Sequence, residues 1–254
     1  GIAACENAME NSAEVLLNTE VLGISREGEG YLLSTNRGEI SARMVFNCAG
    51  LSADRVQELA FEPTVRLELD SAEYLVFDPA MKKPEMVIFH QAQRCGKGIT
   101  AVPCTEGNLL ISGVRKSLDR PFATTREGLE ELHQAVSGLF PQVDGSKVIR
   151  SFGAVRPNPY RDSGESIHDF SIENPAPGFW SLIGIKTPGL TCAHELGLLL
   201  AQRAAEYLEA GENPSFEPRR RCITVNGTAD DHEIICQCEA VTKWQILTAI
   251  ARGV

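Results

Sequence analysis

Phe179-Trp-Ser-Leu-Ile-Gly-Ile-Lys-Thr-Pro-Gly-Leu-Thr191 decides how the chain is read, because a short apolar run breaks at Lys186-Thr187-Pro188-Gly189 and passes directly into a long helical pattern. Gly184 and Gly189 allow close backbone approach and unusual φ, Pro188 stiffens the turn, and the following helix presents unpaired N–H groups and a partial positive charge. Lys186 closes the strand, where a cation can meet an anion. Such a junction either builds a ligand site or is an ordinary strand-to-helix turn whose glycines serve geometry. Past Thr191, the residues Ala193, Leu196, Gly197, Leu200, Ala201, Ala204 and Leu208 form one apolar stripe that stops at Gly211, a glycine signal for a helix end.

A second junction of the same kind lies upstream. Met44-Val-Phe-Asn-Cys-Ala-Gly50 is an apolar run ending in glycine, and Ser52 is placed to cap a helix over 53–60. Before it, residues 2–13 carry a helical pattern and 14–18 an alternating one, and 21–26, 31–35 and 39–47 read as the strands of a β-meander turning at Asn36-Arg37-Gly38. Between the two junctions the pattern is β at 65–69, 73–77, 86–90, 99–102 and 108–112, which fits an antiparallel sheet. Thr124-Thr125-Arg126-Glu127 has capping-box spacing, and Leu129, Leu132, Val136 and Leu139 place a helix up to about Phe140. Residues 148–155 return as a strand that delivers Arg156-Pro157, 158–166 read as a loop, and 167–172 as a further strand. Residues 213–231 are a linker by composition, after which Thr242 caps an amphipathic helix. The fold class is therefore α/β (α+β).

The chain has 254 residues and a net charge of −10, a balance that suits a soluble globular protein and argues against nucleic acid as a partner, since phosphate backbones need a basic face. Arg219-Arg220-Arg221 is a basic run that reads as solvated. No apolar run approaches the roughly 18 to 20 residues of a transmembrane helix, so no transmembrane segment is expected. With no export signal at its start, the chain reads as cytoplasmic and its eight cysteines as reduced thiols. It opens inside one helical pattern and stops just after another, so both ends are expected to be cut.

A dinucleotide site should show Gly-x-Gly-x-x-Gly between a first strand and a helix, and this sequence has no such motif in that context. Gly96-Lys97-Gly98 matches the loose spacing but is followed by a β-like run, and reads as a loop that shapes a pocket.

Four segments together resemble a known family: Glu6 to Val21, Ala42-Arg-Met-Val-Phe-Asn-Cys-Ala-Gly-Leu-Ser-Ala-Asp54, Thr125 to Glu130, and Gly184-Ile-Lys-Thr-Pro-Gly-Leu-Thr191. They are similar to the FAD-dependent oxidoreductases of the D-amino-acid oxidase superfamily, most of all its bacterial glycerol-3-phosphate dehydrogenase and 2-hydroxyglutarate oxidase branch, over about residues 2–211. The resemblance implies FAD as cofactor, with Ala49 and Gly50 near its pyrophosphate and ribose and Gly184, Lys186, Gly189, Leu190 and Thr191 around the isoalloxazine and ribityl chain. A helix N-terminus near the reduced ring, with Lys186, would stabilise its negative charge.

Gly153-Ala-Val-Arg-Pro157 resembles the family segment whose arginine holds a small anionic substrate. Arg156 at a strand end suits bidentate capture of carboxylate or phosphate, and the alternative is a surface ion pair. Where the family commonly has Arg-Gly-Glu-Tyr, this chain has Ser71-Ala72-Glu73-Tyr74, which leaves Tyr74 as a pocket candidate. His90 and Lys97 face the same cavity or are structural.

Residues 234–253, with Cys236 and Cys238, resemble the start of a bacterioferritin-associated-ferredoxin-like [2Fe-2S] domain. Four thiolates are needed for such a cluster, so the resemblance implies it in a longer parent chain and not in this one. The implied domains are 1–60, the middle of an FAD-binding domain; 61–173, a substrate domain; 174–211, the return of the FAD domain; and 212–254, a linker with a truncated [2Fe-2S] domain.

The implied activity is oxidation of sn-glycerol 3-phosphate by hydride transfer to flavin, with Arg156 and Lys186 as the catalytic pair. The alternatives are a 2-hydroxy acid or an amino acid as substrate, or a non-catalytic remnant acting as a binding module. The branch admits membrane docking through a partner subunit, and no residue here argues for it. Lacking the pyrophosphate motif, the isolated chain is expected to purify colourless and inactive; a yellow preparation with stoichiometric FAD would overturn that expectation.

Overall fold

The computed structural model describes residues 2–62, 64–80, 83–90, 98–114, 122–218, 233–236 and 241–252. In chain order the elements are α1 (Ile2–Glu10), β1 (Val21–Glu27), β2 (Gly30–Thr35), β3 (Gly38–Ala42), β4 (Val45–Asn47), a 3-10 turn (Gly50–Ser52) leading into α2 (Ala53–Glu58), and β5 (Val65–Phe77). Then follow β6 (Ile88–Phe89), β7 (Thr100–Pro103), β8 (Leu109–Val114), α3 (Arg126–Leu139), β9 (Val148–Arg161), β10 (Ser171–Ala176), β11 (Phe179–Ile183) and α4 (Gly189–Leu208). Last come β12 (Ile234–Cys236), β13 (Val241–Thr242) and α5 (Lys243–Arg252). Helices mix with largely antiparallel sheets, as the class read from the sequence requires. The chain divides into two compact units, Gly1–Glu68 with Pro157–Ile223, and Leu69–Arg156 with Thr224–Val254.

In the first unit β1, β2 and β3 form an antiparallel meander, and a second sheet has the order β10-β11-β4. There β10 runs antiparallel to β11, whereas β4 runs parallel to it in the register Val45↔Phe179, Phe46↔Trp180, Asn47↔Ser181. Tyr31, Phe61 and Phe179 meet edge to face, with centroids 5.0 Å apart for Phe61 and Phe179 and 5.5 Å for Tyr31 and Phe179. The Tyr31 hydroxyl donates to the Pro177 carbonyl at 2.7 Å, so the buried phenol is satisfied.

Residues 39–47 were read as one strand but split at Arg43-Met44, because β3 pairs with β2 and β4 belongs to the other sheet. Residues 14–18 are not a strand. Their carbonyls are claimed by side chains of the β2–β3 turn: Asn36 Nδ2 donates to Asn18 O at 3.3 Å and an Arg37 Nη1 to Leu17 O at 3.0 Å. Ser52 precedes α2 without a side-chain cap bond; the buried Asp54 instead accepts from the Arg55 and Leu67 amides at 2.9 and 3.1 Å.

The second unit is built on a five-stranded sheet of order β6-β7-β8-β5-β9. The two segments 65–69 and 73–77 prove to be a single strand, β5, paired antiparallel with β8 from Ala72↔Val114 to Phe77↔Leu109. One face of the sheet carries Leu75, Phe77, Ala101 and Ile111 against Leu132 and Val136 of α3, the residues its helical spacing places together. Thr125 caps α3, its Oγ1 accepting from the Gly128 amide at 3.0 Å. Glu73, fully buried on the same face as Leu75, accepts from the Thr125 amide at 2.6 Å and from its hydroxyl at 2.9 Å. A side chain on Gly128 would overlap the Glu73 carboxyl group, so the helix approaches this strand only through a glycine.

β9 continues to Arg161, through the first four residues of the expected loop at 158–166, and β10 starts at Ser171 where a strand over 167–172 was expected. β9 lies at the sheet edge, where proline's missing N–H costs no ladder bond, and this tolerates Pro157 and Pro159. α4 ends at Leu208 and is followed by Glu209 in the left-handed region (φ 50°), two residues before the expected glycine stop at Gly211. Thr242 does cap α5: its amide donates to Gln245 Oε1 at 2.7 Å and the Gln245 amide returns to its Oγ1 at 3.3 Å, a reciprocal capping box.

Replacing Glu73 by Ala should lower unfolding stability by about 2 kcal/mol, from two buried hydrogen bonds at roughly 1 kcal/mol each. Urea denaturation of the two proteins measures this, and Glu73→Gln should recover part of the loss.

Candidate functional site

Both strand-glycine-helix junctions leave from the carboxyl ends of the adjacent parallel strands β4 and β11, where open α/β sheets bind ligands. Asn47 ties them together. Its buried Nδ2 donates to Ser181 Oγ at 3.0 Å and to the Ala53 carbonyl at 2.7 Å, while its Oδ1 accepts from the Ala49 amide at 3.2 Å. One carboxamide thus ties the last residue of β4 to the middle of β11 and to the turn at Ala49-Gly50. The sequence reading quoted Asn47 and Ser181 but assigned them no role. The available signal was a polar residue set in an otherwise apolar run.

The glycines divide by the space around them. Gly50 has φ +58°, and an added Cβ would meet nothing within 4 Å, so its freedom serves the backbone turn and leaves the surface above it open. Gly184 has φ +73°, and an added Cβ would sit 2.5 Å from Pro159, so here the glycine serves packing against the end of β9. Gly189 donates its amide to the Lys186 carbonyl at 3.0 Å and Cys192 donates to Pro188 at 2.9 Å. Between them the Leu190 and Thr191 amides have no acceptor among the described residues, Pro188 provides no side-chain cap, and Leu190 is 84% exposed. An uncapped helix end of this kind attracts negative charge or hydrogen-bond acceptors. Lys186 extends to the Ile167 carbonyl, Nζ to O at 3.1 Å, which holds the ammonium without neutralising it.

In the second unit Arg156 pairs with Asp70, Nη2 to Oδ2 at 3.2 Å, with side chains 22% and 34% exposed. Its Nε is buried and has no acceptor among the described residues. Tyr74 stacks on Phe152 with centroids 4.8 Å apart and planes 2° from parallel, and Arg150 lies over the Phe152 ring at 5.7 Å. The two cross-strand contacts share one antiparallel register, since four residues forward on β5 are four residues back on β9. Arg156 and Tyr74 therefore lie on the same face, opposite α3, about 13 Å apart along the strand at ~3.3 Å per residue. The ion-pair alternative raised for Arg156 is present, but part-buried and incomplete. Asp70 was not singled out from the sequence, because Asp70-Ser71 reads as a strand break.

His90 donates its amide to Ile99 O at 2.8 Å and ends the β6 pairing. Lys97, Gly96, Cys238 and Arg219 to Arg221 lie outside the described residues. Cys236 closes β12 and is half-buried. Among the described residues no helix is long and apolar enough to cross a membrane.

The sequence profile of the family described as FAD dependent oxidoreductase matches residues 2–203, and the chain belongs to that family. It is 31% identical to the glycerol 3-phosphate dehydrogenase of Caloramator mitchellensis, over all of this chain and 55% of that protein. It is 28% identical to the glycerol 3-phosphate oxidase of Mycoplasma pneumoniae, over 73% of this chain and 50% of the relative. The fold superimposes on dithionite-reduced, FAD-bound L-alpha-glycerophosphate oxidase from Mycoplasma pneumoniae with a TM-score of 0.69 at 23% identity, covering 83% of this chain and 56% of the other. The chain thus spans about half the length of the relatives it matches. Two acceptor-free amides at an uncapped helix end and the open space over Gly50 are a donor set that fits part of a flavin nucleotide.

Gly184→Ala should destabilise the chain by about 2 kcal/mol or more, from a positive φ combined with overlap on Pro159. Gly197→Ala, in the middle of α4 with nothing within 4 Å, should instead be neutral or stabilise by up to about 1 kcal/mol. Thermal denaturation of the two variants distinguishes a packing glycine from a helical one.

Proposed function

We propose that this chain supplies flavin-facing and substrate-binding parts of an FAD-dependent dehydrogenase that oxidises sn-glycerol 3-phosphate. The observation that carries the reading is the half-satisfied Arg156, a part-buried guanidinium with one acid and a spare buried donor. Such a group is suited to receive an anion, and two relatives named for glycerol 3-phosphate favour phosphate over carboxylate. A 2-hydroxy acid or an amino acid is the second reading, because the same fork accepts a carboxylate.

FAD, when bound, accepts the hydride from the substrate carbinol carbon. Arg156 holds the anionic end and so fixes where that carbon lies, which converts binding energy into orientation. Tyr74, held flat on Phe152, forms one wall of the pocket. The Leu190 and Thr191 amides, with Gly184, Lys186 and Gly189, receive the electron-rich edge of the cofactor, and Ala49-Gly50 its pyrophosphate and ribose side. In this reading residues 1–60 and 174–211 belong to the FAD domain and 61–173 to the substrate domain. Cys236 and Cys238 would be the first pair of [2Fe-2S] ligands, completed by thiolates of a longer parent chain.

In the complete flavoprotein that carries this chain, anaerobic sn-glycerol 3-phosphate should bleach the flavin's visible absorbance faster than 2-hydroxyglutarate or an amino acid. Arg156→Gln should lower kcat/KM about a hundredfold, as loss of a desolvated charge contact worth roughly 2 to 3 kcal/mol. Faster bleaching by a carboxylate substrate would move the assignment to the second reading. A parent reading frame with no strand followed by Gly-x-Gly-x-x-Gly would favour the non-catalytic binding module.

A further inference from the structure

Asp70 meets Arg156 through a single contact, Nη2 to Oδ2 at 3.2 Å, although a carboxyl group can take two parallel N–H bonds from a guanidinium. The adjacent Nε is buried with no acceptor among the described residues. The arginine is thus positioned by its acid but not saturated by it, and it keeps donor capacity for a second anion. Both side chains lie in the second unit, on the face of β5 and β9 that turns away from α3. An anion received there sits beside the resident carboxylate as well as beside the guanidinium. Attraction to the arginine and repulsion from Asp70 both grow with the ligand's charge, so removing the acid's charge changes a dianion's binding more than a monoanion's.

We infer that Asp70 is a specificity-determining residue: it orients Arg156 and restrains the affinity for phosphate groups relative to carboxylates. The inference rests on Arg156 being the anion receptor proposed above. It gives the acid a use. Oxidation of a phosphorylated carbinol leaves the phosphate on the product, so a resident counter-charge that loosens the receptor's hold on phosphate also speeds product release.

The test is titration of the 254-residue chain, followed by calorimetry, with sn-glycerol 3-phosphate, inorganic phosphate and glycerate, which replaces the phosphate ester by one carboxylate. Asp70→Asn should tighten glycerol 3-phosphate and phosphate about fivefold, the upper range for a partly exposed ion pair, and glycerate only about twofold. Asp70→Thr, a second neutral substitution suited to a strand, should do the same, while Asp70→Glu should keep the original ratio of phosphate to glycerate affinity. Arg156→Gln should weaken all three ligands. If the neutral variants leave phosphate binding unchanged or weaker while Arg156→Gln loses it, Asp70 is a strut; the inference fails and the reading of Arg156 stands. Equal tightening of phosphate and glycerate also overturns it. If Arg156→Gln binds like the original chain, or no protein binds any of the anions, the receptor assignment itself falls and takes this inference with it.

Discussion

In β5 and β9 successive side chains point to opposite faces, and this period of two assigns each polar residue of the second unit's sheet either to the core under α3 or to the face beyond it. Glu73 falls on the core side and caps α3 through Thr125. Asp70 and Tyr74, three residues before it and one after, fall on the other side with Phe152 and Arg156. A shift of one residue would exchange these roles, putting a guanidinium into the apolar cluster and a helix cap out of reach. The register held by the β5–β8 ladder therefore maintains both the core and the Asp70–Arg156 and Tyr74–Phe152 pairs on the opposite face.

The first unit meets its own constraint at Asn47. A side-chain amide that bonds Ser181, Ala53 and Ala49 ties the end of β4 to the middle of β11 and to the start of α2. Gly184 then lets the chain pass Pro159, and the helix that follows starts with two amides that no described residue accepts from. Leaving them unclaimed forgoes a cap worth about 1 kcal/mol, the kind of local cost that proteins carry where a ligand completes the hydrogen bonding.

Local pattern made α3, α4 and the β1–β2–β3 meander legible, because each is an amphipathic or alternating segment whose partners lie nearby. It was misleading where partners are distant. Residues 14–18 alternate like a strand, yet side chains from the next turn occupy their carbonyls. Asp70-Ser71 looks like an interruption, but β5 runs unbroken through it beside β9, and the β8 ladder joins from Ala72 onward. Pro157 and Pro159 argue against a strand until β9 is known to be an edge. Of the site, Gly184, Arg156 and the uncapped start of α4 were readable as residue types in a pattern. The acid that holds Arg156 was not, because it stands 86 positions away and only the sheet pairing brings the two together.

The two cations singled out, Lys186 and Arg156, are held in different ways, and the difference bears on what each can do. Arg156 is held by an acid, so its charge is partly offset, and an anion binding there would compete with that partner. Lys186 is held by the neutral carbonyl of Ile167, which takes one of three N–H donors and cancels none of the charge. A cation fixed by a dipole adds to the field of the α4 N-terminus a few residues further on, where two amides point the same sign outward. Negative charge that develops during a reaction is best met by charges already in place and uncompensated, since they need no rearrangement as it appears. A ligand whose charge is permanent needs the opposite, a receptor offset enough to let it go. The chain supplies one cation of each kind.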